Sequence, residues 1–431
     1  MPRAGAPRFT LGEPSNGVRS FPIFAPPDGM IMPEDHATFC RDFIDEETRP
    51  TISYPVEGLH NTWVVVPAAQ DAARPIDPSD RWRLAPEDIP PLLAELPDPS
   101  LINVVLLLDE RNPWDAWLER HHGRPFVTAA TSAKWGLVTF FRGARGDEAR
   151  TVLMHEWAHQ LHWSLPSALG NRAKAAFLAE ADGFHLRALA RANDDENFAT
   201  HLGEAMLGEA AADFLRLVEA APVRAMMLAD ALEHALSSTR SNPATAVRSA
   251  CERRIAHVRV HARARAAAAL VVAVNGVAEP VAHSLLASLL AHYGTGEDLA
   301  SIARPVNLQL GHDSDVDTAL IERVSRTPQI DTLNIAGARC VDPHALALLA
   351  RTGIKRLCLQ EGLFGDAAAE PIARLTGLRH LIAGKTGFSD RALPHLATMR
   401  GLEELVLRGT RFSAAGKAAL RQALPDTRIE F

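Results

Sequence analysis

The stretch Thr151-Val152-Leu153-Met154-His155-Glu156-Trp157-Ala158-His159 decides how the first half of this 431-residue chain is read. An apolar run leads into two histidines four residues apart, and on a helix such a pair stands on one face with Cβ atoms about 5–6 Å apart. Two imidazoles so placed can reach one metal ion, and zinc accepts them readily. Glu156 directly follows the first histidine, so its carboxylate projects beside the ion rather than onto it, where it can take a proton from water. Two ligands and a base are thus encoded between His155 and His159. Upstream, Gly146-Asp147-Glu148 offers an N-cap aspartate and an acidic first turn, so a helix is expected to enter the motif from there.

Further out, Trp135-Gly136-Leu137-Val138-Thr139-Phe140-Phe141 reads as a strand, and the apolar run Ile102 to Leu108, bounded by Pro99 and Asp109, suits a central strand. Strands followed by a helix with the HExxH pattern resemble the zincin metallopeptidases, over at most Pro50 to Ser237. Catalytic zinc usually takes three protein ligands, and the branches of that family differ in the third. The metzincin branch requires Gly at 162 and His at 165, where this chain has His162 and Leu165. The gluzincin branch uses a Glu on a later helix, often followed four residues on by an Asp that hydrogen-bonds a ligating histidine; Glu209 and Asp213 match it. The resemblance therefore implies Zn2+ held by His155, His159 and Glu209, with Asp213 supporting a ligand and Glu156 as catalytic base. It also implies a donor for the oxyanion, for which His201 lies within one position of the family's; His185 and His234 are alternatives.

Two other carboxylates remain open as third ligand. Glu180 superficially fits an ExxAD signature, but the ligand position of that signature, four before Asp182, is Leu178. Glu204 would fall on a different face from Glu209 in a continuous α-helix. His162 extends the histidine row by a turn, too far to share the ion, and is expected to hydrogen-bond or pack at the helix end. Trp157 and Trp163 are read as core, since the helix must bury one face.

Net charge of −7 gives no bulk attraction to nucleic acid or acidic membranes. Cys40, Cys251, Cys340 and Cys358 are far apart, which argues against a disulfide framework or a cysteine metal site. The first residues lack the apolar stretch of a secretory signal, and the longest apolar candidate, Ala266 to Val274, is too short for a membrane span. An intracellular, cytoplasmic protein with neither nucleic-acid nor membrane partner is expected. His257 and His261 repeat the four-residue spacing without the Glu, amid Arg253, Arg254, Arg263 and Arg265, so they read as a solvated basic face.

From Gln329 the chain repeats with a period of 24: Ile330, Leu333, Ile335; Ile354, Leu357, Leu359; Leu378, Leu381, Ala383; Leu402, Leu405, Leu407. Ile429 and Phe431 begin a fifth strand, and Val306 to Leu310 forms a looser first unit. The period and the LxxLxL core resemble leucine-rich repeats, each a strand and a helical piece that needs its neighbours to bury its apolar face. That architecture turns Asp331, Thr332, Asn334, Lys355, Arg356 and Cys358, then Arg379, His380, Ile382, Glu403, Glu404 and Val406, onto a concave face suited to a protein partner.

The fold class expected is therefore multidomain. A Pro-rich extension covers 1–50, an α+β zincin-like metallopeptidase domain 51–237, an Ala-rich helical connector 238–304, and an α/β leucine-rich-repeat solenoid 305–431. The expected function is a zinc-dependent endopeptidase whose extended substrate pairs with the edge of the strand at Trp135 to Phe141 and whose repeats dock the protein substrate. The rival is a binding scaffold with a lapsed zincin domain, which the intact Glu156 disfavours; a non-peptide zinc hydrolase would use the same residues.

Overall fold

The computed structural model describes residues 9–24, 44–68, 84–108, 130–133, 136–141, 149–181, 183–186, 190, 193–238, 243–311, 316–338 and 342–431. Two compact units divide the chain. One comprises Met1–Ser164, Gly183–Ala220 and Leu228–Arg259; the other comprises Leu165–Asp182, Ala221–Met227 and Val260–Phe431.

The first unit is organised on a mixed sheet. Strands β1 (Thr10–Leu11), β2 (Ser15–Phe24) and β4 (Trp63–Pro67) all pair antiparallel with the long β3 (Ile44–Glu57), and β5 (Val104–Leu107) joins β4 in parallel. Next comes β7 (Leu137–Phe140), parallel to β5, and β6 (Ala130–Ala133) closes the order as an antiparallel strand on β7. Val105 and Val138 have no solvent exposure and Leu106 only 2 %, as apolar runs flanked by strands on both sides require. The central strand expected at Ile102 to Leu108 is β5. Two sequence expectations are corrected here. The segment before residue 51 does not stand apart from the sheet, since β1, β2 and the first half of β3 belong to it. The strand within Trp135 to Phe141 is not an edge, because β6 lies beyond it.

Helix α1 (Ala149–Ser164) carries the HExxH stretch and is tied to the sheet by polar contacts as well as packing. Trp157, fully buried, donates its indole N–H to the carbonyl of Asp98 at 2.8 Å. Gln160 accepts from the amide of Gly136 at 3.0 Å and donates to the carbonyl of Leu137 at 3.4 Å. Gly136 begins β7 with φ of +81°, and a Cβ there would lie 2.6 Å from the carbonyl oxygen of Leu101, so only glycine fits. Bonding at 157 and 160 fixes the rotation of α1 about its axis, and with it the direction in which His155 and His159 point. The N-cap expected at Asp147 lies outside the described residues.

In the second unit, strands β8 (Val306–Gln309), β9 (Ile330–Asn334), β10 (Arg356–Cys358), β11 (His380–Ile382), β12 (Glu404–Val406) and β13 (Arg428–Glu430) form one parallel sheet in chain order. Thr332, Arg356, His380, Glu404 and Arg428 stand side by side, each 24 residues from the next, so the period read from the sequence is the step of the sheet. Leu333, Leu357, Leu381 and Leu405 are all fully buried. A second ladder holds the opposite ends of the units: Asp366 accepts from the amide and hydroxyl of Ser389, and Asp390 does the same for Ser413. Across the strands, Lys355 pairs with Asp331 at 2.8 Å, and Glu404 lies 3.4 Å from His380 and 3.7 Å from Arg428. The stretch read as a connector is divided: Thr245–His261 falls mostly in the first unit, while the helices Arg263–Gly276 and Pro280–Tyr293 belong to the second. Among the described residues no helix is long and apolar enough to cross a membrane.

Candidate metal centre

His155 and His159 both sit on α1, four residues apart and nearly buried, at 9 % and 6 % exposure. Their Nε2 atoms approach to 3.2 Å. Helix α2 (Ser167–Ala179) belongs to the other unit, and the helix of this unit that faces them is α3 (Asp194–Ala199). Asn193 caps α3, its side-chain oxygen accepting from the amide of Glu196 at 2.9 Å. The Glu196 carboxylate then reaches both histidines, with one oxygen 3.3 Å from His155 Nε2 and the other 3.7 Å from His159 Nε2. Among the described residues, His155, His159 and Glu196 are the group with metal-ligand geometry, their donor atoms all within 4.8 Å of one another.

Those separations can be tested against an ion. Zinc binds imidazole nitrogen at about 2.0–2.1 Å and carboxylate oxygen at about 2.0–2.2 Å, and tetrahedral geometry then sets neighbouring donors about 3.3–3.5 Å apart. The 3.2 Å between the two imidazole nitrogens matches such an edge, and the Glu196 carboxylate flanks the pair with a different oxygen toward each histidine, at 3.3 and 3.7 Å, one ligand atom from each residue lying within 4.8 Å of the others. The donor set also fits, two neutral-capable imidazoles and a carboxylate being what catalytic zinc takes.

The chain runs directly from α3 into a π-helical segment, Thr200–Met206, marked by the bond from the Leu207 amide to the Leu202 carbonyl at 2.9 Å. This segment decides where Glu204 points. Eight residues of α-helix rotate by about 800°, which would leave Glu204 about 80° away from Glu196. A π turn holds roughly 4.4 residues, so replacing the second half of that interval by π-helix cuts the offset to about 10°. Glu204 therefore shares the face of Glu196, and its Oε1 lies 3.2 Å from His155 Nδ1. His155 is thus addressed by a carboxylate at each nitrogen, an arrangement that orients a ligating imidazole and strengthens it as a donor. The close packing needed for this rests on Gly203, whose absent side chain leaves the π segment against the backbone of His155 and Met154.

The electrostatics favour positive charge at this point. Burial pulls the His155 imidazole down, but Glu196, Glu204 and Glu156 together hold it up at about 10. His159 is driven down to about 4 by burial and by the charge of His155. Glu156 is itself 7 % exposed, so the base expected beside the ion is buried next to its histidine. One turn beyond His159, His162 meets Asp195 at 2.7 Å and stacks on Phe198. Burial raises the Asp195 carboxyl, and His162 and Trp163 more than offset this, leaving it below its ordinary value.

The structure does not bring the other expected residues to this cluster. Glu209 lies past the end of the π segment with its carboxylate 82 % exposed, facing Arg150 at 3.6 Å. The reason is a break in the chain: the π-helix ends at Met206, Arg254 donates to the carbonyls of Met206 and Gly208, and a new helix, α4 (Ala211–Ala220), starts after the turn. Asp213 falls in the first turn of α4, away from the histidines. His201 is fully buried, its Nδ1 2.7 Å from the Asn197 carbonyl and its Nε2 accepting from the Leu186 amide at 3.3 Å. Both ring nitrogens are therefore committed to backbone, and His201 ties the 183–186 loop to the helix instead of offering a proton to a substrate.

Glu180 serves a different purpose in the second unit. Its carboxylate accepts from the amides of Val223 and Arg224 at the start of α5 (Pro222–Ser237) and from the Arg224 guanidinium at 3.1 Å. Arg224 has no solvent exposure, so Glu180→Ala would take the carboxylate away from a buried cation and two helix-end amides. The variant is expected to lose about 3–5 kcal/mol of stability, read from the denaturant midpoint of the whole chain. A loss under about 1 kcal/mol would remove the pair from any structural role.

Glu196, Asp195 and Glu204 are the residues that sequence reasoning missed or set aside. Asn193 followed by Asp194-Asp195-Glu196 signals a helix start with an acidic first turn. That ordinary explanation accounts for the acids without implying that one of them faces a histidine pair.

No protein-family model matches this chain, and no curated protein matches it. Among solved structures, it is similar to a leucine-rich-repeat protein of Leptospira interrogans, with 18 % identity and a TM-score of 0.26 over 34 % of this chain and 39 % of that one. The match thus spans well under half of that protein's length.

Proposed function

We propose that this protein is a zinc-dependent peptidase of the zincin kind, with His155, His159 and Glu196 as the metal ligands. The observation that carries the reading is the convergence of two imidazoles and one carboxylate, the donor set of catalytic zinc, with the imidazole nitrogens 3.2 Å apart and one ligand atom from each residue within 4.8 Å of the others. When bound, zinc would polarise a carbonyl and bring the pKa of a water molecule to about 7. Glu156 would take the proton of the attacking water and return it to the leaving amine nitrogen. Glu204 would hold His155 in its ligating orientation. An extended substrate would add to β6, the terminal strand of the sheet, through main-chain hydrogen bonds.

The repeats would select the protein to be cut. The face formed by Arg356, His380 and Glu404 carries both signs of charge in neighbouring strands, which favours a partner with alternating charges over a nucleic acid. A cytoplasmic site of action remains part of the proposal.

The test is metal analysis and peptide cleavage on the same preparation. Full-length protein purified without chelators should carry close to stoichiometric zinc and cleave members of a mixed peptide library. Glu156→Gln should keep the zinc and lose about 10²–10⁴-fold in turnover. Undiminished cleavage by Glu156→Gln would take Glu156 out of the base role, and zinc-loaded protein that cuts no peptide would point to a different bond.

A further inference from the structure

Asp195 directly precedes Glu196, and its carboxylate is gripped from α1. One oxygen lies 2.7 Å from His162 Nδ1, and Trp163 donates to the same carboxylate. Phe198, three residues on and so on the same side of α3, stacks against the His162 ring with centroids 4.4 Å apart and planes 10° from parallel. His162 is thereby held at its edge by Asp195 and across its face by Phe198. On the other side, Asn193 fixes the amide of Glu196. Trp163 also stacks on His159, centroids 5.5 Å apart, so the same indole touches a metal-facing histidine and the anchor of the opposing helix.

Helix α3 and the π segment that continues it, Asp194 to Met206, together are at the lower limit of the length at which a helix holds itself together in water. The position of α3 against α1 therefore depends on side-chain anchors, and the carboxylate of Glu196 can meet two histidines only while that position is kept. We propose that Asp195, clamped by His162 and Trp163, is a positioning residue that presents Glu196 to the metal, an inference that rests on the zinc reading above. The clamp lies outside the ligand set, yet it determines how often the third ligand is in place. If the competent arrangement is populated only a fraction of the time, the apparent dissociation constant rises by the inverse of that fraction. Outer contacts of this kind typically alter metal affinity by about 10–100-fold.

The experiment uses the full chain, with zinc affinity measured by competition against a chromophoric chelator and the visible spectrum recorded after cobalt(II) replacement. Asp195→Ala is expected to weaken zinc binding by about 10–100-fold and to change the cobalt bands, with the melting temperature of the metal-free protein near wild type. Asp195→Asn, which keeps an oxygen able to accept from His162 and Trp163, should restore most of the affinity and the wild-type spectrum. His162→Phe, which keeps the stack on Phe198 and loses the bond to Asp195, should weaken zinc as Asp195→Ala does. Wild-type affinity and spectrum in both Asp195→Ala and His162→Phe overturn the proposal. So does an equal fall in metal-free melting temperature and affinity, which marks a merely structural contact, or an Asn variant as weak as the Ala variant. Wild-type protein that binds no zinc overturns the metal reading itself, and is distinguished from those outcomes by the parent measurement.

Discussion

On the proposed zinc reading, Glu196→Ala is expected to abolish metal binding. After passage through metal-free buffer, wild-type protein should retain near-stoichiometric metal and the variant little. The apparent dissociation constant should rise by more than the roughly 100-fold that marks the upper range for loss of an outer contact, because here a ligand itself is removed. Two histidines four residues apart are a chelate without a third protein donor, and the sites that hold catalytic zinc use three. Glu209→Ala is the counterpart. Its side chain is 82 % exposed and, among the described residues, pairs with Arg150, so zinc should be retained within a few-fold of the wild-type affinity. Metal lost with Glu209→Ala and kept with Glu196→Ala would return the third ligand to the later helix. The metal-free proteins add a second check. Glu196→Ala removes one of the acidic partners of His155 and leaves Glu204 and Glu156 beside it, so its loss of zinc should exceed any loss of metal-free stability.

The first two members of the cluster were legible because their geometry is local. Four residues on a helix place His155 and His159 together whatever the rest of the chain does. The third was not, because it depends on which helix packs against α1. Sequence pattern favoured Glu209 with Asp213, a pair at the right internal spacing, but spacing within a helix says nothing about where that helix goes. The π segment made the matter harder. In a continuous α-helix Glu204 stands on a different face from Glu209, and its place beside His155 Nδ1 comes from a change of helical pitch, which turns it to the face of Glu196 and which no residue between Thr200 and Met206 announces. The repeats sit at the other extreme: a solenoid stacks identical steps, so the 24-residue period in sequence is the register of the sheet. Strands β2 and β3 were hidden by Pro22, Pro50 and Pro55, residues that normally argue against a strand.

Gly203→Ala should be among the most damaging single-methyl additions to this chain. A Cβ at 203 would sit 2.8 Å from the Cα and the nitrogen of His155 and 2.8 Å from the carbonyl carbon of Met154, closer than such atoms pack. All three obstacles are backbone, within a helix whose rotation is fixed by Trp157 and Gln160, so no side chain can swing aside. The π segment must back away from α1, and the 3.2 Å approach of Glu204 to His155 Nδ1 opens with it. Overpacking of this sort costs about 1–3 kcal/mol. The expected result is a lower melting temperature together with a smaller rise on adding zinc, since the carboxylate that orients His155 is withdrawn and metal affinity falls by about 10-fold or more. Gly170→Ala supplies the control. It too lies in a helix, but a Cβ there would meet nothing within 4 Å, and exchanging a helical glycine for alanine should stabilise by about 0.5–1 kcal/mol with zinc binding unchanged. If Gly203→Ala melts like wild type and binds zinc as tightly, the close approach of the π segment to His155 is not what shapes this site.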